Sequence, residues 1–404
     1  MRLPIFIAYR YLFSKKKINA INIITTIAAL GFGVGAFAMV VILSAFNGFE
    51  NLIAGLINNY DPEIKITATG RKTFEFTNEL RSDILRFEDI ISASSSLEEK
   101  VVIKYNNHQE IAKIRGVDTF FDKAKFDSLI VMGSYDLGDT NSAFGIFGGG
   151  LASKLGVFPG SQNPIAVFVP RRDVEFNSLN PQEALSTKYI RASAVFLVYE
   201  DIDNEVFITS LPLAQELLSY KNAISSIDVG LKPNADINEV KEQLQRKLGS
   251  SYIIKTREEL NELIYKIFKS EKWFTYAILS LVILISSFNI FGSLIMLVLD
   301  KKKDIGILKS MGAEEGTIRK VFIWQGSFIA IMGGGAGVIL ALLLVLAQMK
   351  FGLLRIENSI VESYPVAILA KDILLTCFTI FIIGFLISLY PASKAAKTKI
   401  QQLN

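Results

Sequence analysis

Four long segments without a charged residue, one near the start of the chain and three toward its end, constrain the fold most. They run through Ile18–Phe49, Trp273–Leu299, Val321–Met349 and Ile373–Ser393. Each exceeds the ~20 apolar residues that a helix needs to cross ~30 Å of hydrocarbon. The long stretch between the first two segments mixes polar and apolar residues. The pattern predicts a membrane protein with four transmembrane α-helices and a large domain inserted between the first and second spans.

The basic residues predict how the spans are oriented. They concentrate before the first span, between the second and third, and after the fourth, at Arg2, Arg10, Lys15, Lys16, Lys17, Lys301, Lys302, Lys303, Lys309, Arg319, Lys320, Lys394, Lys397 and Lys399. The positive-inside rule places these three regions, and so both termini, in the cytoplasm. The large domain then lies outside the cytoplasm. The net charge of +4 is too small to indicate a nucleic-acid partner.

Spans and charges together predict the order of segments along the chain. They are an interfacial helix on the cytoplasmic side (1–17), the first span with a stalk (18–60), the extracytoplasmic domain (61–255), a second stalk with the second span (256–299), a cytoplasmic loop (300–320), the third span (321–349), a short outer loop (350–372), the fourth span (373–393) and a cytoplasmic tail (394–404).

Apolar residues at helical spacing extend the two spans that flank the domain. After the first span they are Phe49, Leu52, Ile53, Leu56, Ile57 and Tyr60, and before the second they are Leu260, Leu263, Ile264, Ile267 and Phe268. Thr256 and Glu259 have the spacing of a capping box ahead of the second stripe. The stripes predict helical stalks that carry the domain. The alternative is that both stripes pack into the core of the domain.

The domain itself has the pattern of an α+β fold. Predicted strands lie at 63–69, 101–105, 110–114, 189–198, 205–209, 226–231 and 252–255, and predicted helices at 78–87, 151–155 and 237–248. The last two strands and the helix between them read as a β-α-β unit. The segment 171–188 has no period, which is uncommon in a compact domain and indicates either a functional loop or a disordered insertion.

Residues able to carry catalysis are scarce. The only histidine, His108, lies in a predicted turn, and the only cysteine, Cys377, lies in the fourth span. No disulfide, histidine-based triad or zinc site can therefore be assembled. The sequence also lacks G-x-x-x-x-G-K-[ST], the loop that cradles nucleotide phosphates. It predicts a chain that is not an enzyme and that binds no metal or cofactor of its own.

The cytoplasmic loop carries a short amphipathic helix. Ile305, Leu308 and Met311 form its apolar face, and Gly312 is a candidate C-cap. Such a helix at the inner edge of the membrane suits docking into a groove on a cytoplasmic partner. The alternative is an interfacial helix that contacts only lipid.

Small and polar residues within the spans mark candidate helix contacts. Gly31 and Gly35 share one helix face, as do Gly333 and Gly337, and both pairs permit close approach of a second helix. That helix belongs either to another chain or to the same bundle. Asn289 lies 11 residues before Asp300, ~16 Å into the membrane, where a polar side chain needs a hydrogen-bonding partner or a wet cavity.

Several motifs resemble those of a known family. The loop from Asp304 through Gly312 and Ala313, followed by Gly326 and the glycines of span three, is similar to the module of FtsX/MacB-type ABC permeases. The resemblance extends to the LolC/LolE branch, the lipoprotein-releasing permeases, through motifs spread over the chain: Ala8–Leu12, Leu43–Glu50, Ile114–Asp118, Phe288–Ile290 and Tyr390–Ala392.

The resemblance implies a mechanism, with roles for particular residues. Two permease chains, identical or different, pair in the bacterial inner membrane, and each docks onto a separate ATPase subunit that holds ATP and magnesium. The residues implied to contact the ATPase are Asp304, Ile305, Gly306, Leu308, Lys309, Met311, Gly312 and Ala313. A lipoprotein enters a membrane cavity that includes Asn289 and passes to a periplasmic carrier. Phe176, Leu179 and Pro181, in the aperiodic loop, are the candidate carrier contacts.

Two other functions remain open. One is a MacB-like permease that exports a different cargo. The other is an FtsX-like transmitter that activates a cell-wall hydrolase and transports nothing.

Overall fold

The computed structural model describes residues 3–13, 20–138, 143–170, 185–355 and 363–397. The chain folds as two compact units. The first, here called the helical unit, comprises Met1–Asn51 and Lys266–Asn404, and the second, here called the sheet domain, comprises Leu52–Tyr265.

The elements below are numbered in chain order. The helices are α1 (Leu3–Phe13), α2 (Ala20–Tyr60), α3 (Asn78–Leu85), α4 (Lys123–Asp127), α5 (Gly149–Leu155), α6 (Glu200–Glu205), α7 (Leu211–Leu217), α8 (Ile237–Leu248), α9 (Arg257–Leu260), α10 (Glu262–Asp300), α11 (Lys302–Ser310), α12 (Glu315–Phe351) and α13 (Ala370–Ala396). The strands are β1 (Ile64–Ala68), β2 (Phe74–Glu75), β3 (Ile90–Tyr105), β4 (His108–Val117), β5 (Ile130–Gly133), β6 (Phe144–Gly148), β7 (Ile165–Pro170), β8 (Leu185–Phe196), β9 (Val206–Ser210), β10 (Ala223–Ile224), β11 (Ser226–Leu231) and β12 (Tyr252–Thr256).

Four helices of the described chain are long and apolar enough to cross a membrane, as predicted. They are α2, α10, α12 and α13. Small residues set the packing of α12 on α13: a Cβ at Gly384 would lie 2.3 Å from that of Ala330, and a Cβ at Gly326 would lie 2.0 Å from the hydroxyl of Ser388. The bundle is thus built on close backbone approach, which stabilises helix pairs in lipid.

Helix α1 lies along α12 rather than apart from the bundle. Ala8 is fully buried, whereas Leu3, Phe6 and Tyr9 are about half exposed or more. The exposed apolar side agrees with an interfacial helix, because amphipathic helices turn such a face toward the acyl chains.

The sheet domain contains a closed circuit of six strands. Strand β3 pairs with β4, β4 with β9, β9 with β6, β6 with β8, β8 with β7, and β7 returns to β3. Phe147 and Phe207 stack at 5.3 Å within the core that this barrel-like circuit shares with α5 and α7. The closure was not predicted, because the sequence pattern shows where strands lie but not which distant strands pair.

The same β3 also leads into a second, open part of the sheet. There the order is β12-β1-β11-β3, and α8 packs on it through Val240 and Leu244. The predicted β-α-β unit is present, but β1 lies between its two strands, β11 and β12, and is antiparallel to both. Asp236 caps α8 by accepting from the amides of Asn238 and Glu239, as polar N-cap side chains do.

Several boundaries differ from the predictions: β3 begins at Ile90 rather than at residue 101, and two further differences concern the aperiodic segment and the second stalk. The aperiodic segment was expected to reach Lys188, but β8 begins at Leu185 and pairs Lys188 with Val167 of β7. Polar residues interrupt the alternation of apolar and polar side chains at the start of β8, so the sequence pattern did not reveal this end of the strand. The predicted second stalk is not one continuous helix, because α9 ends at Leu260 and Asn261 caps it. The side-chain amide of Asn261 donates to the carbonyl oxygen of Arg257 and to Asp61.

The two apolar stripes have different surroundings. The capping box of Thr256 and Glu259 is present. Ile57 and Tyr60, at the end of α2, are buried, and Tyr60 packs with Phe126 and Phe196 of the sheet domain. Leu263 and Ile267 are exposed. The first stripe therefore joins the core of the domain at its far end, and the second does not.

Candidate functional site

Helix α11, in the predicted cytoplasmic loop, is anchored on one side and exposed on the other. Ile305 is buried in a cluster with Ile318 and Phe322 of α12 and with Ala392 and Ala395 of α13. By contrast, Ile307 is 55% and Met311 79% exposed. Leu308 is half-buried. The apolar face predicted from Ile305, Leu308 and Met311 is therefore divided between the bundle and the surroundings of the loop.

The end of α11 is fixed by its backbone. Gly312 has φ +90°, a conformation that glycine adopts without strain. The amide of Ala313 donates to the carbonyl of Leu308, and that of Gly312 to the carbonyl of Lys309. These two bonds are a Schellman motif, and the predicted glycine cap is confirmed. The motif holds the exposed Met311 in a defined position between α11 and α12.

Charged side chains surround the same helix. Lys301 lies 3.4 Å from Asp304 and 5.3 Å from the centre of the Tyr11 ring of α1. Lys309 lies 3.7 Å from Glu315 at the start of α12. Burial raises the pKa of Tyr11 to about 12, and the nearby Asp304 carboxylate adds to the shift. Tyr11 is thus uncharged at neutral pH, and the helix presents mixed charges around an apolar edge.

The predicted glycines lie at contacts within this chain. A Cβ at Gly333 would lie 2.2 Å from the carbonyl oxygen of Ala29, and one at Gly337 would lie 2.1 Å from that of Gly33. A Cβ at Gly35 would lie 3.0 Å from the Cγ1 atom of Ile283 of α10. A Cβ at Gly31 would lie 3.6 Å from the Asn289 amide nitrogen. The sequence analysis missed Gly33, whose spacing from Gly31 and Gly35 does not fit the four-residue pattern.

Asn289 is exposed on α10, next to Gly31 of α2. One turn further along, Thr25 and Ser293 share a hydrogen bond of 2.8 Å between the same two helices. An exposed amide at this depth in the bilayer favours a polar cavity or a second chain at this face. The role of Asn289 stays a prediction.

Three polar side chains form a buried cluster that the sequence analysis did not predict: Asn47, Lys272 and Asp372, here called the Asn47 cluster. The side-chain amide of Asn47 donates to Asp372 at 2.7 Å. The Lys272 ammonium lies 2.9 Å from Asp372 and donates to the side-chain oxygen Oδ1 of Asn47 at 2.8 Å. Asn47 and Asp372 are less than a tenth exposed. The cluster joins α2, α10 and α13 at one end of the bundle. A usable signal was present, since Lys272 and Asp372 border two of the uncharged segments.

The sheet domain holds a second buried network, centred on Arg115. Its guanidinium donates to Asp228 at 2.9 Å and to the carbonyl oxygen of Tyr60 at 3.3 Å, and it is 1% exposed. Burial opposes ionisation of the neighbouring Glu98, but Lys65, Lys113 and Arg115 outweigh it and hold the pKa of Glu98 well below its usual range. The network fixes the end of α2 to β4 and β11.

Phe176, Leu179 and Pro181 lie outside the described residues. Within the described ranges, no cluster of three or more histidine, cysteine, aspartate or glutamate side chains has the arrangement of a metal site. The described residues thus form an exposed surface on α11, close helix contacts at the glycines, and two ionic networks, the Asn47 cluster and the Arg115 network.

Comparison with known proteins finds permeases similar to this chain. The model of the FtsX-like permease C-terminal family matches residues 276–400, which include α11, α12 and α13. The lipoprotein-releasing system transmembrane protein LolC of Buchnera aphidicola subsp. Schizaphis graminum is 29% identical over 98% of this chain and 96% of its own length. LolE of Haemophilus influenzae is 24% identical over 100% of this chain and 99% of its own length. Over nearly its whole length, the chain is thus similar to LolC/LolE-type permeases.

Solved structures similar to this chain cover about half of it. They include the periplasmic region of MacB from Actinobacillus actinomycetemcomitans, with a TM-score of 0.35, 10% identity, and coverage of 53% of this chain and 95% of that one. The extracellular domain of the ABC-type transporter YknZ from Gram-positive bacteria has a TM-score of 0.32 and 10% identity, and the match covers 48% of this chain and 99% of that one.

Proposed function

We propose that this permease is the transmembrane subunit of an ABC transporter that extracts lipoproteins from the bacterial inner membrane and passes them to a periplasmic carrier. The observation that carries the proposal is the match, over nearly the whole chain, to proteins named as lipoprotein-releasing. A shared terminal module alone would also fit permeases of other cargo. The agreement across both units therefore favours lipoprotein release.

The driving force comes from a separate ATPase subunit in this proposal. The permease lacks the glycine-rich loop that binds nucleotide phosphates. Helix α11 offers the exposed Ile307 and Met311 beside a folded helix end, which suits a groove on a partner. A second permease chain, identical or different, completes the transporter. ATP and magnesium belong to the ATPase.

The orientation of the permease is a proposal as well. The concentration of lysine and arginine supports cytoplasmic termini and a cytoplasmic α11, with the sheet domain in the periplasm. Cysteine scanning tests it, because Cys377 is the only cysteine of the chain. In a Cys377→Ser background, a cysteine at exposed Ile111 should react with an impermeant maleimide in intact spheroplasts. A cysteine at Met311 should react only after lysis, and the reverse result would overturn the orientation.

The cargo is tested by reconstitution. Full-length permease, its ATPase and any second permease chain are placed in vesicles that carry a lipidated protein and, as a control, the same protein without its acyl chains. ATP and the carrier should release the lipidated form into solution. Copurification of a cell-wall hydrolase, without release, would favour the FtsX-like alternative. Export of an unlipidated substrate would favour the MacB-like one.

The carrier contact is proposed for the segment after β7, with Phe176 as the aromatic anchor and Leu179 and Pro181 beside it. Aromatic residues are enriched among those that dominate binding energy in interfaces. Photo-crosslinkers at Phe176 and Leu179 should capture the carrier, and crosslinkers at exposed Ile111 should not.

A further inference from the structure

A cavity of about 440 Å³ lies between α1, α12 and α13 in the helical unit. It falls within the ~300–1,000 Å³ typical of small-molecule sites. Its lining is Pro4, Ile5, Thr317, Lys320, Ile323, Trp324, Ser327, Phe381 and Phe385. Neither α11 nor the glycine contacts use it, so it is separate from the surfaces considered above.

The cavity is polar at one end and apolar at the other. Thr317, Lys320, Trp324 and Ser327 follow one face of α12 at successive turns. Lys320 is the last charged residue before the uncharged segment that begins at Val321, so it marks the edge of the hydrocarbon. Deeper along the bundle the walls are aromatic, and Phe381 and Phe385 are 43% and 38% exposed.

Charge at the polar end has a single sign. Lys320 is the only charged side chain in the lining within the described chain, and the lining contains no carboxylate. Its helical neighbours Gly316, Thr317, Ile323 and Trp324 bear no charge. No ion pair of Lys320 occurs among the described residues within 4.0 Å. An ammonium group at the membrane edge above an open aromatic groove complements an anion with acyl chains.

We propose that this cavity binds an anionic phospholipid, with its phosphate at Lys320 and Thr317 and an acyl chain along Trp324, Phe385 and Phe381. Basic pockets between transmembrane helices hold anionic lipid head groups in this way, and tryptophan favours the head-group level. The acyl groove must face lipid unless protein covers it, and the lysine adds the preference for negative charge. The proposal does not depend on which cargo the transporter releases.

Trp324 lies in the lining and can report the occupant. The chain has only two tryptophans, Trp273 and Trp324, so the exposed Trp273→Phe variant leaves a single fluorophore in the cavity. The full-length variant is reconstituted in phosphatidylcholine vesicles with increasing fractions of phosphatidylglycerol or phosphatidylcholine that carry brominated acyl chains. Brominated phosphatidylglycerol should reach half-maximal quenching at a mole fraction roughly fivefold lower than brominated phosphatidylcholine does. This ratio corresponds to the ~1 kcal/mol attraction of one lysine to an anionic lipid.

Matched variants separate the site from general attraction to the membrane surface. Lys320→Gln should bring the two quenching curves together, and Lys320→Arg should keep them apart. Arg319→Gln removes the same charge from the neighbouring residue, which does not line the cavity, and should leave the preference intact. Equal quenching by both lipids in the parent, or equal loss with Arg319→Gln and Lys320→Gln, would overturn the proposal. An unquenched Trp324 would overturn it as well, because a protein surface would then cover the groove.

Discussion

Glycine is required where α2 and α12 touch, because their backbones are in contact there. A Cβ at Gly337 would lie 2.1 Å from the carbonyl oxygen of Gly33, whereas one at Gly335 would meet open space. We expect Gly337→Ala to push the helices apart and to destabilise the helical unit by about 1–3 kcal/mol, the usual cost of overpacking. The thermal midpoint of the full chain in detergent measures the loss. Gly335→Ala is the matched control, and equal midpoints for the two variants would contradict the contact.

The Asn47 cluster is a second residue-scale device, and its parts are interdependent. Asp372→Leu leaves the half-buried Lys272 ammonium without its carboxylate. The ~3–5 kcal/mol typical of breaking a fully buried pair is the upper limit of the expected loss. We expect a large fall in thermal midpoint for Asp372→Leu and a partial recovery for Asp372→Leu combined with Lys272→Met. A double-mutant cycle measures the coupling. Additive effects of the two substitutions would show that the pair contributes no coupling energy.

The sheet domain should show a pH dependence that arises from Asp203. Burial raises the pKa of this carboxyl to about 6, although its hydrogen bond from the Val198 amide favours the charged form. A folded-state pKa above the unfolded value of ~3.9 means that the folded state binds the proton more tightly. The stabilisation from this proton is complete below pH ~4 and is lost as the pH rises through about 6.

Asp203→Asn removes the stability loss that accompanies ionisation of Asp203 and keeps a side-chain oxygen that accepts from the Val198 amide. We expect the variant to gain stability over the parent at pH 7.5, by at most about 3 kcal/mol, and to gain little at pH 4.5. Asp201→Asn, at an exposed position of the same helix, is the control. Thermal midpoints of the full chain at the two pH values decide the matter. An equal gain at both would assign the effect to something other than ionisation.

At the scale of elements, α11 was predictable because its signals are local. The spacing of Ile305, Leu308 and Met311 and the glycine at 312 predict a short capped helix, and the Schellman bonds are present. The direction of each apolar side chain was not predictable. Ile305 points into a pocket made by α10, α12 and α13, and the part contributed by α13, Ala392 and Ala395, is distant in sequence.

The division of that face sharpens the test of ATPase docking. Leu308→Asp combined with Met311→Asp places one charge on the half-buried face of α11 and one at its exposed C-cap residue. The double variant should abolish copurification of the ATPase while leaving membrane insertion intact. Ile305→Asp would instead disturb the bundle and is uninformative. Ile111→Asp, on an exposed strand of the sheet domain, makes the same chemical change elsewhere and should retain the ATPase. Retention by the double variant would move the docking surface away from α11.

At the scale of the whole molecule, the two units were predictable to different depths. Absence of charge over four long segments reveals membrane spans directly, since each charge would have to be removed from water. The sheet domain depends on pairings between distant strands, such as β3 with β7 and β4 with β9, which no local pattern encodes. The Asn47 cluster likewise joins Asn47 to two residues more than 200 positions away. Local signals predicted most elements, and long-range contacts decided their arrangement.

The sheet topology also makes residues 171–184, the segment proposed to contact the carrier, separable from the fold. Pro170 of β7 and Leu185 of β8 are directly paired, so the chain leaves and re-enters the sheet at adjacent positions. A two-residue Asn-Gly turn, which suits antiparallel strands, can therefore replace residues 171–184 without altering the register. We expect this replacement to stop lipoprotein transfer to the carrier while ATP hydrolysis by the assembled transporter continues.

A matched control keeps the test of that segment specific. Asn106 and Asn107 connect β3 and β4, so Asn107→Gly creates an Asn-Gly turn in another hairpin of the same domain. This variant should leave transfer unchanged. If transfer persists without residues 171–184, the carrier binds elsewhere. If neither the loop-replacement variant nor the turn control releases lipoprotein, yet both hydrolyse ATP, the FtsX-like alternative gains support. The two failures differ because the first concerns one loop, whereas the second concerns the cargo of the whole permease.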